Sequence, residues 1–153
     1  MDTYEFNGNF LYYVRLLKRL YERALAEAAA ESGLSLPEAD VLSFLRENPE
    51  FDTARDVALY REVSKAYVSN AVEALAAKGY LTVVRDTRDR RVLRLAIAPA
   101  AAGTAERLHE AQFRFYDRVT QGIPMIEING MLGTIAKCAL NVRRAAEEYR
   151  IEK

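Results

Sequence analysis

The sequence predicts a mainly α-helical domain with one small β-hairpin. Three observations support this: apolar residues recur at helical spacing over most of the chain, Ser or Thr stands at the N-cap position before three of these segments, and only "YLTVV" and "VLRLAIA" have strand composition. The chain has 153 residues, of which 50% are hydrophobic, so it can bury one core. We therefore expect helices arranged around a hairpin.

The first helix is predicted over residues 5–30. Its apolar face follows the spacing of a helix and comprises Phe6, Phe10, Tyr13, Leu17, Leu20, Ala24 and Ala28. Leu16, Tyr21 and Leu25 widen this face beyond what one partner helix would cover, and Gly33 marks the end of the helix. The excess of apolar surface predicts packing against a second copy of the chain.

Three shorter helices follow in close succession. In "SLPEADVLSFLREN", Ser35 and Glu38 have the spacing of a capping box, and "NPEF" ends the helix. Thr53 and Asp56 repeat that spacing in the short segment "DTARDVALY". After a break at "RE", Ser64 is a good N-cap for "VSKAYVSNAVEALAAKG".

The third of these helices has two different faces. Val68, Ala71, Val72 and Leu75 form an i, i+3, i+4, i+7 stripe, which predicts the buried side. The opposite side is small and polar, and it comprises Ala66, Asn70, Glu73 and Ala77. Gly79 stands where a C′ glycine ends a helix.

A cluster of charge joins the two predicted strands. Residues 83–95, "VVRDTRDRRVLRL", hold five Arg and two Asp, although the whole chain is neutral with 22 basic and 22 acidic side chains. Residues 61–95 carry a net charge of +4, whereas residues 1–60 carry −5. The loop from Arg85 to Arg91 is either a solvated charged turn or a surface that attracts a polyanion.

Two helices complete the chain. The first covers residues 100–121 and has an apolar face of Leu108, Ala111, Phe115 and Val119. The last begins at Pro124, and its apolar face comprises Ile128, Leu132, Ile135, Ala139, Val142 and Ala146. Like the first helix, the last is too apolar for an isolated surface helix, which predicts a homodimer.

The order helix, helix, short helix, turn, helix, hairpin is that of a winged helix-turn-helix, and its chemistry fits double-stranded DNA. A major groove admits an α-helix whose N-terminal side chains reach base edges, and arginines suit the adjacent minor groove. The recognition helix is predicted over residues 64–78 and the wing over residues 80–97. The side chains expected at the major groove are Ser64, Lys65, Ala66, Tyr67, Ser69 and Asn70.

These segments resemble the MarR family of bacterial transcriptional regulators. The resemblance rests on "VSKAYVSNAVEALAAKGYL" followed by "RDTRDRRVLRLAI", with Asp89-Arg90-Arg91 before the second wing strand. Two positions depart from the family pattern: Arg61-Glu62 stands where Leu-Gly is common, and Ile97-Ala98-Pro99 follows the wing. The first departure predicts a wetter turn, and the second predicts an altered start of the next helix.

The resemblance implies a division of the chain and a set of roles. Residues 35–99 would form the winged DNA-binding domain, and residues 1–34 and 100–153 the helical dimerisation region of a homodimeric repressor on a pseudo-palindromic operator. Asp89 would brace the side chain of a wing arginine by a charge-assisted hydrogen bond, and Arg91 is the first candidate for that arginine. The expected DNA contacts from the wing are Arg85, Thr87, Arg88, Arg90 and Arg91, and the expected backbone contacts are Thr53 and Arg55.

The resemblance also implies a small-molecule effector. Many regulators of this family bind a small aromatic or phenolic ligand between their helical and winged parts. The candidates for such a pocket, by position and aromatic character, are Tyr12, Tyr13, Tyr21, His109 and Phe113. The alternative for each of them is packing in the core or in the dimer interface.

Other function classes find little support. The chain has a single histidine, His109, and a single cysteine, Cys138, and it lacks a Gly-rich phosphate loop and a nucleophile elbow. We therefore expect no enzyme activity, no cofactor and no metal. The absence of a long apolar run and of a signal-peptide pattern predicts a soluble cytoplasmic protein. A winged helix that binds a protein partner instead of DNA remains the alternative.

Overall fold

The computed structural model describes residues 9–149, and its helices and strands follow the predicted order. The elements are α1 (Asn9–Glu31), α2 (Leu36–Glu47), α3 (Ala54–Arg61), α4 (Lys65–Ala77), β1 (Leu81–Arg85), β2 (Leu93–Ile97), α5 (Ala102–Val119) and α6 (Met125–Glu148). A 3-10 turn, Pro99–Ala101, leads from β2 into α5. The mainly helical winged-helix class is confirmed. The predicted beginning of the first helix, residues 5–8, lies outside the described residues.

The predicted helix starts form with the expected side-chain bonds. At α2, the Glu38 carboxylate accepts a hydrogen bond from the backbone N–H of Ser35 at 2.7 Å, and Ser35 Oγ accepts one from the Glu38 N–H at 3.5 Å. Thr53 and Asp56 make the same reciprocal pair at α3. Ser64 caps α4 through its side-chain oxygen. These local bonds fix where each helix of the helix-turn-helix begins.

Three helices end at a left-handed residue that turns the chain. At α1 and α4 this residue is a glycine: Gly33 has a φ of 68° and Gly79 a φ of 71°. At α3 it is Glu62, which has a φ of 55° although it carries a side chain. Non-glycine residues adopt this region at a cost of about 1 to 2 kcal/mol. The turn before α4 is therefore strained where the family commonly has a glycine.

Arg61 corrects the expectation of a wetter turn. Its side chain is only 22% exposed, because the guanidinium pairs with two carboxylates on α2. Nε lies 3.1 Å from Asp40 Oδ1, and Nη2 lies 3.3 Å from Glu47 Oε2. Its Cζ also lies 5.5 Å from the centroid of the Phe44 ring. Burial raises the pKa of Asp40, and the Arg61 guanidinium opposes that rise.

One buried core joins helices α1 to α5 to the base of the hairpin. β1 and β2 pair antiparallel with Leu81 opposite Ile97, and Leu81 and Leu95 are buried. The predicted stripe on α4 is confirmed, with three of its residues buried and Val72 partly buried. The largest fully buried side chains are those of Leu25 in α1, Leu42 in α2, Leu75 in α4 and Leu108 in α5. Because only the base of the hairpin is buried, its charged loop is exposed.

Within residues 9–149, those up to Phe115 belong to one compact unit, and those from Tyr116 onward belong to a second, which contains α6. No residue of α6 is buried, as far as the structure describes this helix. Its large exposed apolar side chains are Met125, Ile126, Met131, Leu132, Ile135, Leu140 and Val142. No helix within residues 9–149 is long and apolar enough to cross a bilayer. The division into residues 1–34, 35–99 and 100–153 stays a prediction.

Candidate nucleic-acid interface

The start of α4 exposes the polar side chains that the sequence singles out. Ser64, Lys65, Ala66, Ser69 and Asn70 are exposed. Tyr67 is partly buried, because it packs against the core. The exposed start of α4 therefore presents an ammonium group, two hydroxyl groups and an amide, close to a helix N-terminus that favours anions.

Tyr67 is linked electrostatically to α1 and α2. Burial raises the pKa of its hydroxyl, and the carboxylates of Asp40 and Glu22 raise it further, while the Arg61 guanidinium opposes them. Because the ordinary pKa of a tyrosine is already about 10, this hydroxyl stays protonated at physiological pH. Tyr67 can therefore serve as a hydrogen-bond donor at the edge of the α4 surface.

Asp86 organises the wing loop. Its Oδ1 accepts hydrogen bonds from the backbone N–H groups of Arg88, at 2.8 Å, and Asp89, at 2.9 Å. Its Oδ2 accepts one from Arg94 Nε at 2.8 Å. These bonds, that from the Asp89 N–H foremost, lower the pKa of Asp86 to about 2. The carboxylate is therefore ionised at neutral pH and keeps the loop in a turn.

Arg94 ties the wing to the loop before α3. Its Nη1 lies 2.6 Å from Asp52 Oδ1, and its backbone forms a β-bridge with Thr53. The next residue, Leu95, donates its backbone N–H to the Asp52 carbonyl at 2.7 Å. Asp52 and then Asp86 raise the pKa of the Arg94 guanidinium. Arg94 thus joins the wing loop to the helix-turn-helix and fixes the direction of the hairpin.

The wing arginines fall into two classes. Arg85 and Arg94 are engaged: Arg85 Nη1 donates to the Arg90 carbonyl at 3.0 Å, and Arg94 holds two carboxylates. The side chains of Arg88, Arg90 and Arg91 are exposed, and no hydrogen bond or ion pair within residues 9–149 involves their guanidinium groups. Three cations are therefore presented to solvent by a loop that the two engaged arginines hold in place.

The predicted brace by Asp89 takes a different form in the structure. Asp89 Oδ1 accepts a hydrogen bond from the backbone N–H of Arg91, at 2.9 Å, and not from its guanidinium. The side-chain brace is made by Asp86 and Arg94 instead. Both aspartates stabilise the backbone of the loop, but only Asp86 holds an arginine side chain.

The other predicted DNA contacts lie at the start of α3 and in the wing loop. The Thr53 hydroxyl is engaged in the capping box, where it donates to Asp56 Oδ2 at 2.6 Å. Arg55 and Thr87 are exposed. The structure therefore leaves Arg55 and Thr87 open to a partner, whereas the Thr53 side chain already stabilises the helix.

The candidate ligand residues differ in their surroundings. Four of them are exposed or partly exposed, namely Tyr12, Tyr13, His109 and Phe113. Tyr21 is partly buried and accepts a hydrogen bond at its hydroxyl from Gln112 Nε2 at 2.5 Å. Its ring meets that of Phe115 edge to face, with 5.5 Å between centroids. Tyr21 therefore has a packing and hydrogen-bonding role between α1 and α5.

The residues that hold the wing, Asp52, Asp86 and Arg94, were not predicted as a group from the sequence. Arg94 belongs to the charged cluster, but Asp52 lies 42 positions before it, and no local pattern relates the two. Asp86 did offer a signal, because an aspartate followed by polar residues at a strand end is typical of an Asx-turn. That signal predicts the turn, but it does not predict the arginine.

Comparison with known proteins identifies the winged-helix segment. A model of the MarR family matches residues 32–92, which span α2, α3, α4, β1 and the wing loop. No curated protein matches the chain. The family match therefore covers the segment that contains the α4 surface and the charged loop.

Solved structures share the fold over most of the chain. A MarR-family transcriptional regulator from Silicibacter pomeroyi has 23% identity and a TM-score of 0.76, over 93% of this chain and 97% of that one. S. aureus MepR, in a complex with DNA, has 14% identity and a TM-score of 0.70, over 92% and 99%. CouR from Rhodococcus jostii, bound to p-coumaroyl-CoA, has 20% identity and a TM-score of 0.72, over 90% and 96%. Residues 32–92 are therefore similar to the MarR family, and the chain shares the fold of MarR-family winged-helix regulators over most of its length.

Proposed function

We propose that this chain is a homodimeric repressor that binds a specific site in double-stranded DNA. The recognition helix, residues 64–78, would enter the major groove, and the wing, residues 80–97, would lie toward the minor groove. One observation carries the proposal: the polar start of α4 and the three outward guanidinium groups of the wing are exposed on the same unit. The shared fold of S. aureus MepR, which is in a complex with DNA, supports it.

The chemistry of both surfaces suits a duplex. The Asn70 amide can pair bidentately with adenine, and the hydroxyls of Ser64 and Ser69 can donate or accept at base edges or phosphates. Arg88 and Arg90 would approach the minor groove, which attracts arginines where A·T tracts narrow it. The recognition helix would thus supply sequence specificity, and the wing would supply much of the electrostatic affinity.

A dimer follows from the apolar surface of the terminal helices. The exposed apolar side chains of α1 include Phe10, Leu11, Val14, Leu17 and Leu20. Helix α6 exposes a comparable set, and exposed apolar patches of this kind are typical of interfaces. Residues 1–34 and 100–153 would form the dimerisation region around the winged domain, residues 35–99. Two-fold symmetry then requires a pseudo-palindromic operator with half-sites about one helical turn apart.

A small aromatic effector would regulate this dimer in the cytoplasm. A ligand releases DNA only if it binds more tightly to a state in which the two recognition helices no longer match the half-sites. The Rhodococcus jostii relative is bound to p-coumaroyl-CoA, which supports a small-molecule effector for this chain. Its pocket would draw on Tyr12, Tyr13, Tyr21, His109 and Phe113.

Salt-dependent binding tests the proposal. Fluorescence anisotropy with a labelled duplex from the region upstream of this reading frame should show affinity falling steeply with salt. The double variant Lys65→Ala/Arg90→Ala removes four phosphate contacts from the dimer and should reduce the log–log salt slope by about 3.6, since each phosphate contact contributes about 0.9. Arg23→Ala is the matched control, because Arg23 is an exposed arginine on α1 that pairs with Glu27 on the same helix.

The same measurement can refute the proposal. If the double variant keeps the affinity and the salt slope of the unaltered chain, the DNA surface is elsewhere. If the unaltered chain binds no duplex but captures a protein partner through α4, the protein-binding alternative is correct.

A further inference from the structure

Lys78 links the C-terminal end of α4 to two other helices. Its Nζ lies 2.7 Å from Glu38 Oε1 in the first turn of α2. The same ammonium donates to the carbonyl oxygen of Gly33 at 3.0 Å, in the turn that ends α1. One side chain therefore joins the end of α1, the start of α2 and the end of the recognition helix.

The link depends on Glu38, whose buried carboxylate needs the positive charge of Lys78. Its side chain is only 6% exposed, and its second oxygen, Oε2, accepts the capping bonds from the N–H and the hydroxyl of Ser35. Burial alone would raise the pKa of Glu38, but the bonds from Lys78 and Ser35 outweigh burial and lower it. A buried carboxylate without its counter-charge is costly, so the position of Lys78 is strongly constrained.

The place of Lys78 along α4 separates it from the proposed DNA contacts. It stands at the opposite end of the helix from Ser64, about 20 Å away at the helical rise of 1.5 Å per residue. Its ammonium already has two partners within the chain. Its chemistry is therefore that of an internal tether, in contrast to the exposed ammonium of Lys65 at the start of the helix.

We propose that Lys78 is a positioning residue for DNA recognition, which sets the angle of α4 against α1 and α2. The inference rests on the proposed function. It identifies the contact through which a shift of the dimerisation helix α1 would move the recognition helix α4 on the DNA. A tilt of about 5° about the Lys78 end moves the Ser64 end by about 2 Å. Hydrogen bonds to base edges do not tolerate a displacement of that size.

A double-mutant cycle on DNA affinity tests this link. The variants are Lys78→Met, Glu38→Gln and the two combined, measured in the full chain with the duplex that the unaltered chain binds. Lys78→Met keeps the aliphatic stem, and Glu38→Gln keeps an oxygen for the Ser35 cap. We expect each single variant to weaken DNA binding about tenfold, and the combined variant to weaken it much less than the product, because both changes remove one link. Binding is measured well below the melting temperature of each variant, so that a loss of stability alone would not change the affinity.

The salt slope separates a tether from a phosphate ligand. Lys78→Met should leave the slope of the unaltered chain nearly unchanged, whereas the control Lys65→Met removes one contact from each half of the dimer and should lower it by about 1.8. The proposal is overturned if Lys78→Met lowers the slope as Lys65→Met does, if the two single effects multiply, or if affinity is unchanged. If Lys78→Met does not fold, Glu38→Gln decides alone: weaker binding at an unchanged slope supports the tether, and unchanged binding overturns it. If the unaltered chain binds no duplex, the proposed function itself fails.

Discussion

The winged-helix segment and helix α6 use apolar residues in opposite ways. Leu42 and Leu75, at helical spacing in α2 and α4, are both 0% exposed. Leu132 and Ile135, at the same kind of spacing in α6, are 55% and 54% exposed. The same helical spacing of apolar residues therefore occurs in helices whose apolar side chains are buried within their unit and in a helix whose apolar side chains are exposed. In the proposed homodimer, a second copy of the chain would cover these side chains of α6.

A matched pair of leucine substitutions tests whether the apolar side chains of α4 and α6 differ in this way. Leu75→Ala should lower the free energy of unfolding by about 3 kcal/mol, because it leaves a cavity in the core. Leu132→Ala should change the unfolding of the dissociated chain by less than about 0.5 kcal/mol and should instead weaken association. Urea melts at two protein concentrations and light scattering separate the two effects. A loss of stability for Leu132→Ala that is independent of protein concentration would show that α6 packs within its own chain.

Within the winged-helix segment, we expect substitutions of an engaged arginine and of an outward arginine to have different effects. Arg94→Met should weaken DNA binding about fivefold with little change in the salt slope, because it releases the wing and removes no phosphate contact. Arg88→Met, which removes one contact from each half of the proposed dimer, should lower the slope by about 1.8. Anisotropy titrations over a range of salt measure both. If Arg94→Met lowers the salt slope as much as Arg88→Met does, Arg94 itself is a DNA ligand.

The Arg94 variant also changes the titration of the wing. The pKa of Asp86 is about 2, lowered from 3.8, so this carboxylate stabilises the loop above pH 3.8 and loses that effect as the pH falls through 2. Without the Arg94 guanidinium, the pKa of Asp86 should rise toward 3.8, although the N–H groups of Asp89 and Arg88 still hold it down. Carboxyl NMR titration reports the shift, and the stabilisation is then lost at a higher pH than in the unaltered chain.

The smallest expected effect concerns the left-handed end of α3. Glu62→Gly should raise the free energy of unfolding by up to about 1 kcal/mol, because glycine adopts a positive φ without strain. Gly79→Ala, at a φ of 71°, is the matched opposite change and should lower it by about 1 kcal/mol. Thermal melts of both variants measure the pair. Destabilisation by Glu62→Gly would mean that the Glu62 side chain makes a contribution larger than its backbone strain.

The features that the sequence predicts well are those made by neighbours in the chain. The bonds of Ser35 with Glu38 join residues three positions apart, and Gly79 acts through its own φ. The pairs of Arg94 with Asp52 and of Arg61 with Asp40 join distant segments, which a local pattern does not bring together. The DNA contacts themselves stay predictions, because they depend on a partner.

The two aspartates of the wing loop show the limit of what a local sequence pattern predicts. Both stand in the loop beside arginines, and the sequence gives no reason to prefer Asp86 over Asp89 as the brace. Strand register decides: Arg94 lies opposite Val84, two positions before Asp86. This register brings the Arg94 guanidinium to Asp86, whereas Asp89 accepts a hydrogen bond from the backbone N–H of Arg91. A correct prediction of the pairing between β1 and β2 would have identified Asp86 as the aspartate that holds an arginine side chain.

The outward guanidinium groups of Arg88, Arg90 and Arg91 have a kinetic consequence. Because they make no ion pair within the described chain, DNA does not have to displace an internal partner before it meets them. Long-range attraction of this kind accelerates the first encounter, and the acceleration fades as salt shortens the Debye length. Changes at the wing tip should therefore appear mainly in the association rate constant. Changes at the start of α4 should appear mainly in the lifetime of the complex.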